Sequence, residues 1–285
     1  MTGAGQSASL PPAVVHLDLD GARHIFRAHG WRYDGTEDPL FESGLRGALD
    51  LFARAGLRAT LFVVAEDVED ARKLALIRDA ADAGHEIASH SVTHHLLTDM
   101  DRSTKQHEIS RSRSVLTDTL GVDVRGFRAP YFRRDPECLE LIGEAGYAYD
   151  SSEMAGRNRQ PREPYRPLPG QPLFELPLPA LSRLALPFHP SYSLMIGQWY
   201  FKAGLAAYRR RPAPFVLLFH LTDFADPVPR AWARTWRQRL FTLSHLTARD
   251  KRARCGAMLD WVRQHFTVGT TAQLIDEVRR EASHP

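Results

Sequence analysis

The chain has 285 residues, of which 43% are hydrophobic and 25% are charged, and its formal net charge is +3. This composition is that of a globular protein with a sizeable core, and it excludes the disordered and fibrous classes. Two cysteines, Cys138 and Cys255, are too few for a disulfide framework or a cysteine-rich zinc site.

Short β-rich runs alternate with helical patterns along the chain, and a glycine follows each of four predicted helices. This alternation favours a parallel sheet or barrel that is covered by helices. The predicted strands are 13–18, 58–64, 86–89, 124–128, 147–150, 173–176, 215–221 and 266–270. The predicted helices are 45–55, 71–83, 103–120 and 136–145.

The domain organisation follows from the same pattern. The segment 156–190 is dense in proline, which favours an irregular excursion over a linker between domains. We therefore predict a flexible tail over 1–12 and one domain over 13–285 with an elaborated second half. The first fifteen residues lack the basic start and apolar run of a signal peptide, so we expect a cytoplasmic protein.

Two aspartates, Asp18 and Asp20, stand where the first predicted strand ends. Side chains two residues apart on a strand share a face, so both carboxylates can point into one site. Two close carboxylates favour a cation between or beside them. The pattern is common, however, and alone it indicates no more than a turn at the end of a strand.

His90 and His94 follow the third predicted strand. Their spacing of four would place both imidazoles on one side of a helical turn, where they could bind one metal ion. Ser91 stands where the zincin protease pattern requires glutamate, so that chemistry is disfavoured. A pair of turn or capping histidines is the alternative interpretation.

An Asp-His-His ligand set leaves a metal ion open to water and substrate. Such an ion can activate water and polarise a carbonyl group, and a neighbouring carboxylate that is not a ligand can act as general base. Arg128 follows the fourth strand and can fork onto a carboxylate. His220 ends an apolar strand, where it is either a core residue or, at the carboxyl end of a barrel strand, a general-acid candidate.

The motifs D-x-D at Asp18, HSVTH at His90, RAPY at Arg128, YDSS at 149–152 and the late LFH occur in the order found in the polysaccharide deacetylase family (NodB-homology, carbohydrate esterase family 4). The chain resembles this family well over about 13–152 and more loosely up to the terminal strand. Its D-x-D spacing resembles the subset of peptidoglycan deacetylases and aminoarabinose-lipid deformylases. The family implies an α/β fold with a single distorted (β/α) barrel of about seven strands.

The resemblance also implies an activity and a role for each site residue. Family members hydrolyse acyl groups with a bound divalent metal ion, usually zinc. By motif position, the metal ligands are Asp20, His90 and His94. The other implied roles belong to Asp18 as base, Arg128 as the residue that orients it, the Tyr131 backbone N–H at the oxyanion, Asp150 in the supporting fourth motif, and His220 as the acid that protonates the leaving amine.

Two segments are candidates for contacts with the substrate or with partners. His24, His29, Trp31 and Tyr33 could line a sugar pocket, or they could belong to a solvated loop that Trp31 caps. The segment 230–254 carries eight basic residues and one acid, with aromatic residues interleaved. It is typical of an amphipathic helix at a membrane surface, of a phosphate pocket, or of a solvated helix face. No nucleic-acid-binding motif accompanies the charge.

We therefore predict a metal-dependent hydrolase that removes acetyl or formyl from an N-acylated amino sugar. An intracellular substrate that is nucleotide- or lipid-linked fits best, with the enzyme peripheral to the inner face of the membrane. One alternative is an allantoinase-like amidohydrolase that acts on a small cyclic amide. The other is a non-catalytic, carbohydrate-binding member of the family.

Overall fold

A computed structural model describes residues 10–33, 35, 37–155, 161–181, 186–210 and 213–283. The first nine residues of the predicted tail lie outside these ranges. The first strand begins at Pro12, which is the last residue of the predicted tail. Within the described ranges, none of the helices combines the length and apolarity that a membrane span needs.

The centre of the fold is a parallel sheet of eight strands, accompanied by a separate antiparallel pair. The strands are β1 Pro12–Asp18, β2 Thr60–Val63, β3 Glu86–Ser89, β4 Gly126–Phe127, β5 Tyr149–Asp150, β6 Phe174–Glu175, β7 Ala180–Leu181, β8 Leu186–Pro187, β9 Phe215–His220 and β10 Thr267–Gly269. All eight predicted strands are present, and most are shorter than predicted by one or two residues at an end. The pair β7 and β8 was not predicted, because it falls in the proline-rich segment.

The strand order is β10-β1-β2-β3-β4-β5-β6, and β9 pairs with β1 along its length. Each of these pairings is parallel, so the carboxyl ends of the strands meet at one edge. The prediction of a distorted (β/α) barrel of about seven strands is confirmed. The barrel is incomplete, since no pairing joins β6 to β9 in the described part of the chain.

Helices surround the sheet, and the four predicted helices are among them. The helices are α1 Ala22–Ala28, α2 Phe41–Ala55, α3 Ala71–Asp82, α4 Arg102–Gln106, α5 Ser112–Leu120, α6 Pro136–Glu144, α7 Pro190–Ile196, α8 Gln198–Tyr208, α9 Trp236–Phe241, α10 Ala248–Arg263 and α11 Thr271–Ser283. The predicted helix 103–120 is not uniform, because a π-helical turn, His107–Arg111, separates α4 from α5. Such turns are rare and often occur near functional sites.

The alternation of residues on β1 decides where polar groups lie. Val15 and Leu17 pack into the core cluster that contains the buried face of α2. Val14 belongs to a second cluster inside the sheet, with Phe62 of β2 among its members. Because successive side chains of a strand point to opposite faces, Asp18 lies on the same inner face as Val14. The first aspartate is thus placed at the carboxyl end of the barrel interior.

Candidate metal and catalytic site

Asp20, His90 and His94 converge beyond the carboxyl ends of β1 and β3. Oδ1 of Asp20 lies 3.4 Å from Nε2 of His90 and 3.1 Å from Nε2 of His94. One possible ligand atom from each of the three residues lies within 4.8 Å of the other two. Among the described residues, Asp20 Oδ1 and His94 Nε2 are buried without a hydrogen-bond partner. A carboxylate and two imidazoles with unsatisfied atoms are a donor set that fits a divalent cation such as zinc.

Charge and hydrogen bonding prepare these three groups for a cation. Burial by itself would raise the pKa of Asp20, but His94 and His90 outweigh it and hold that pKa well below its usual range. Burial lowers the pKa of His94, against the opposing effect of Asp20. Nδ1 of His90 donates to the carbonyl oxygen of Arg128 over 2.8 Å, so its Nε2 lone pair faces the site.

The loop between the two histidines differs from the predicted helical turn. Ser91 and His94 both adopt left-handed backbone conformations, with φ of +64° and +57°. Residues 91–95 form a loop with bends at 92 and 93 rather than a helix, so the loop conformation brings the two imidazoles together. A left-handed conformation is costly for residues other than glycine, and it persists only where surrounding contacts enforce it.

Glu108 supplies these contacts from the π-helical turn. Its Oε2 accepts hydrogen bonds from the backbone N–H groups of Val92 and Thr93, each over 2.9 Å. Its Oε1 accepts one from the Thr93 hydroxyl over 2.8 Å. The carboxylate is buried and thus fixes the loop that carries both histidines. Sequence reasoning missed Glu108, because nothing in a helical pattern marks one acid as facing a loop fifteen residues earlier.

Asp18 is held by Arg128. Oδ1 of Asp18 lies 2.5 Å from Nη1 of Arg128, and both side chains are buried. Nε of Arg128 donates to the carbonyl oxygen of Ser151 over 2.8 Å, and its guanidinium lies 3.8 Å from the ring centroid of Phe62. The second carboxylate oxygen, Oδ2, is buried and has no hydrogen-bond partner in the described part of the chain. Asp18 therefore presents one oriented, unpaired oxygen to the site.

His16 completes the support of Arg128 and was not predicted. Nη2 of Arg128 donates to Nδ1 of His16 over 2.7 Å, and Nε2 of His16 lies 2.9 Å from the Thr271 hydroxyl. Burial and the nearby Arg128 charge hold the pKa of His16 well below its usual range, so the imidazole is neutral. Its signal in the sequence was the alternation H-x-D, which places His16 and Asp18 on one face of β1.

His220 lies on the other side of Asp18. Its Nε2 is 3.8 Å from Asp18 Oδ2, and its Nδ1 is 3.2 Å from the Ser191 hydroxyl at the start of α7. The ring of His189 lies 5.0 Å from that of His220. The imidazole is partly exposed, so it can reach both Asp18 and a bound molecule.

Tyr131 belongs to the RAPY turn, and Asp150 contacts that turn through Ser152. The Tyr131 hydroxyl donates to the His94 carbonyl oxygen over 3.2 Å, and its backbone is left-handed, with φ of +61°. Asp150 accepts a 2.5 Å hydrogen bond from Ser152, whose hydroxyl oxygen accepts one from the Ala129 N–H. Asp150 is also paired with Arg134 at 2.7 Å. Asp150 therefore contacts the residues around the RAPY turn and not the three possible metal ligands.

The four residues predicted to line a sugar pocket have different environments. His24 is buried, with Nε2 3.0 Å from Glu66 Oε1. Trp31 and Tyr33 pack edge-on against buried Phe26, at centroid distances of 5.6 and 5.5 Å. His29 stacks on Trp31 at 4.4 Å. His24 lies on α1 rather than in a loop, and Tyr33 lines a cavity together with Asp38 and Glu66, so neither interpretation describes all four residues.

The basic segment 230–254 is not one amphipathic helix, because the short α9 and the start of α10 divide it. Lys251 is buried and donates to the Thr222 carbonyl oxygen over 2.8 Å, so it stabilises the turn after β9. Trp236 is 73% exposed and Phe241 is 41% exposed. Three arginines beside them are exposed as well: Arg230, Arg234 and Arg237.

Comparison with known proteins finds a family profile and relatives that match part of the chain. The profile described as "Polysaccharide deacetylase" matches residues 33–149. A chitooligosaccharide deacetylase of Rhizobium leguminosarum bv. phaseoli is 34% identical over 131 residues, which are 42% of this chain and 57% of that protein. A peptidoglycan deacetylase of Helicobacter pylori is 29% identical over 136 residues, which are 44% of this chain and 45% of that protein. The match thus spans less than two thirds of either relative.

The whole fold has a counterpart among solved structures. A structure titled a putative polysaccharide deacetylase from Mycobacterium smegmatis aligns with a TM-score of 0.70 and 21% identity, over 98% of this chain and 94% of that chain. At 21% sequence identity, the similarity of the two structures shows a shared fold alone. It extends through the second half of the chain, which the family profile does not cover.

Proposed function

We propose that this chain, which matches the polysaccharide deacetylase profile over residues 33–149, is a metal-dependent hydrolase that removes an acetyl or formyl group from an N-acylated amino sugar. One observation carries the proposal. A buried carboxylate oriented by an arginine, Asp18, lies between the Asp20, His90 and His94 set and the imidazole of His220. A base, a metal site and an acid at one strand edge are what hydrolysis of an amide requires.

Asp20, His90 and His94 would hold the divalent cation, and zinc is the ion that this donor set suits best. When bound, such a cation polarises an acyl carbonyl and makes water more acidic. The unpaired atoms Asp20 Oδ1 and His94 Nε2 support this assignment. Glu108 and the Arg128 carbonyl oxygen fix the two histidines for it.

Asp18 and His220 would carry out the two proton transfers of the reaction. Asp18 accepts a proton from the attacking water at Oδ2, while Arg128 holds Oδ1 and keeps the carboxylate oriented. The backbone N–H of Tyr131 donates to the oxygen of the acyl group as charge develops there. His220 then donates a proton from Nε2 to the nitrogen, so that the C–N bond breaks and the free amine leaves. The products are a carboxylic acid and an amino sugar.

For the substrate, we propose an amino sugar that carries phosphate, as in a nucleotide- or lipid-linked precursor. The similar proteins are a chitooligosaccharide deacetylase and a peptidoglycan deacetylase, and exposed arginines near Trp236 and Phe241 in the chain add a surface suited to anions. Arginine with interleaved aromatic residues also suits peripheral contact with an anionic cytoplasmic membrane face.

The test is a mass-spectrometric screen for the released amine. The metal-loaded enzyme is incubated with N-acetylated chitooligosaccharides and with nucleotide-linked N-acetyl amino sugars, and Asp18→Asn serves as the matched inactive control. We expect turnover by the wild type and a loss of it in the control. Hydrolysis of small cyclic amides alone would instead identify an allantoinase-like enzyme. Glycan binding without any turnover would identify a carbohydrate-binding protein.

A further inference from the structure

A chain of hydrogen bonds, buried over most of its length, runs from Arg128 toward the amino end of the barrel. Nη2 of Arg128 lies 2.7 Å from Nδ1 of His16, and Nε2 of His16 lies 2.9 Å from the Thr271 hydroxyl oxygen. That oxygen is 2.6 Å from the Thr60 hydroxyl oxygen, and the Thr60 hydroxyl donates to Oε2 of Glu86 over 2.9 Å. All four distances are those of hydrogen bonds, so the chain is continuous.

The strand register explains why three of these side chains meet. His16, Thr60 and Glu86 are direct partners in the parallel pairing of β1, β2 and β3. Their side chains share the inner face of the sheet, on which Asp18 also lies two residues after His16. Polar side chains in such a layer cost free energy unless they are hydrogen-bonded. The layer therefore depends on partners that apolar residues at the same positions would not need.

Thr271 enters this layer from the last helix rather than from a strand. It is the first residue of α11, and it is buried. The same helix packs Leu274 and Ile275 into the core cluster inside the sheet. Asp276, further along the helix, pairs with Arg125 at 2.6 Å. The start of α11 is thus fixed against the barrel, with its first hydroxyl inside the polar layer.

The chemistry of the two ends of the chain fixes the direction of its hydrogen bonds. A guanidinium can only donate, so Nδ1 of His16 accepts from Arg128 and carries no proton. The proton of the imidazole is then on Nε2 and points to the Thr271 oxygen. A hydroxyl has one proton, and that of Thr60 goes to Glu86, so the Thr60 oxygen accepts from Thr271. Each proton in the chain therefore points away from Arg128.

We infer that Thr271 is a positioning residue that fixes the ring of His16 with Nδ1 turned toward Arg128. Through Arg128 it keeps Asp18 oriented, since the same guanidinium donates to Oδ1 of Asp18. The inference rests on the proposed function, in which Asp18 is the base. It adds a role for α11, which lies outside residues 33–149 that the family profile matches.

Threonine variants at the start of α11 test this role. Thr271→Val keeps the shape of the side chain and removes the hydroxyl, whereas Thr271→Ser keeps the hydroxyl. Thr270→Val is the matched control, because the Thr270 hydroxyl oxygen accepts from the Gln273 N–H over 3.3 Å and caps the same helix. Both valine variants should lose stability in urea unfolding, and only Thr271→Val should disturb the chain of hydrogen bonds. The probes are an N-acetylated chitooligosaccharide and 4-nitrophenyl acetate, each with zinc-loaded enzyme of measured metal content.

We expect Thr271→Val to lose about 10-fold in kcat on both probes with KM unchanged, as loss of an outer hydrogen bond does. The losses on amide and ester should be equal, because the base acts on the attacking water in a step that both reactions share. Thr271→Ser should recover most of the activity, and Thr270→Val should keep the wild-type kcat. A loss on the amide alone would overturn the inference, because it would place the effect on the acid.

Nitrogen-15 NMR of the zinc-loaded protein tests the orientation of His16 independently of turnover. The imidazole of His16 is assigned by difference from His16→Asn. Wild type should show the Nε2–H tautomer, with an Nε2 proton that exchanges slowly with water because it is buried and hydrogen-bonded. This protection should be lost in Thr271→Val and kept in Thr271→Ser and Thr270→Val. An Nδ1–H tautomer in wild type would contradict the inference even if Thr271→Val did not fold.

Two outcomes separate the inference from the proposed function. If Thr271→Val keeps the wild-type kcat while Asp18→Asn loses turnover, Thr271 has only a structural role and the proposed function stands. If metal-loaded Asp18→Asn keeps full turnover, the base assigned in the proposed function is wrong, and the inference about Thr271 falls with it.

Discussion

Asp18 and His220 stand directly opposite each other in the register of β1 and β9, with Oδ2 and Nε2 separated by 3.8 Å. The two residues are 202 positions apart in the chain, and parallel pairing of six consecutive residues sets their alignment. A shift of one residue along either strand would turn one of the two side chains to the other face of the sheet. The strand register itself therefore fixes how far the proposed base lies from the proposed acid.

The roles of Asp18 and Asp20 can be separated by paired variants. We expect Asp20→Asn to weaken metal binding, because a neutral amide is a poorer ligand for a dication than a carboxylate. Asp18→Asn should keep the metal and lose about 10²- to 10⁴-fold in rate, as removal of a general base does. Metal content by mass spectrometry and kcat on the same preparations provide the check. Near wild-type turnover by metal-loaded Asp18→Asn would show that the base lies elsewhere.

Arg128 and Asp18 should be strongly coupled in stability. Arg128→Met leaves a buried carboxylate without its partner, and loss of one member of a buried ion pair typically costs about 3–5 kcal/mol of unfolding free energy. Asp18→Asn in the same chain removes the stranded charge, so the double variant should recover part of the loss. Urea unfolding of the four proteins gives the coupling energy. Strictly additive effects would mean that the 2.5 Å contact contributes nothing of its own.

The sequence predicted the parts of the site that depend on one strand and its end. The polar residues of β1 alternate with apolar ones, and β9 is a continuous apolar run that ends at His220, so Asp18 and His220 could be placed at strand ends without a structure, with Asp20 two residues further on. The loop His90–His94 could not be predicted, because its left-handed residues are imposed by Glu108 from a separate helix. The spacing of four between the two histidines fits a helical turn, and the observed left-handed loop brings the two imidazoles together as well.

The second half of the chain was less predictable for a similar reason. The contact of Ser191 with His220 joins a helix that follows a proline-rich segment to a strand 29 residues later. Local patterns carry no information about such contacts between distant residues. Two of the three interpretations of the basic segment 230–254 assume one helix, whereas α9 and α10 divide the segment and Lys251 is buried.

Glu108 should control metal affinity without being a ligand. In Glu108→Gln, one acceptor oxygen becomes an N–H₂ group that faces N–H donors or the Thr93 hydroxyl, so the loop loses part of its clamp. We expect metal affinity to fall about 10- to 100-fold with the overall fold retained. Competition with a chelator measures the affinity, and exposed Glu140→Gln on α6 is the control. Unchanged affinity would leave Glu108 with a purely local structural role.

The exposed arginines near Trp236 should favour anionic substrates or surfaces. Changing Arg230, Arg234 and Arg237 to Glu should raise KM for a phosphate-linked substrate and weaken binding to anionic vesicles. Both effects should fade as salt rises, because screening shortens the range of exposed charges. The same change at Arg54, Arg72 and Arg111, which are exposed elsewhere, controls for net charge. Equal behaviour of the two triple variants would leave only a solvated surface.

Acid should destabilise the fold through His16. The buried imidazole has its pKa well below the usual value, so near and below pH 6.5 the unfolded chain binds a proton that the folded protein does not. Because the unfolded state then holds more protons, the unfolding free energy rises with pH, and the stability is lost as pH falls below the unfolded pKa. One such group gives a slope of up to about 1.4 kcal/mol per pH unit.

His16→Asn isolates this contribution, because it keeps an acceptor for Arg128 and does not titrate. Urea unfolding of the metal-free protein between pH 7.5 and 5 should give a shallower pH slope for the variant than for wild type, even if the variant is less stable throughout. His189 has the same sign of shift and should leave a residual slope in His16→Asn. Parallel curves for the two proteins would mean that His16 takes up a proton in the folded state, which its 2.7 Å contact with the Arg128 guanidinium opposes.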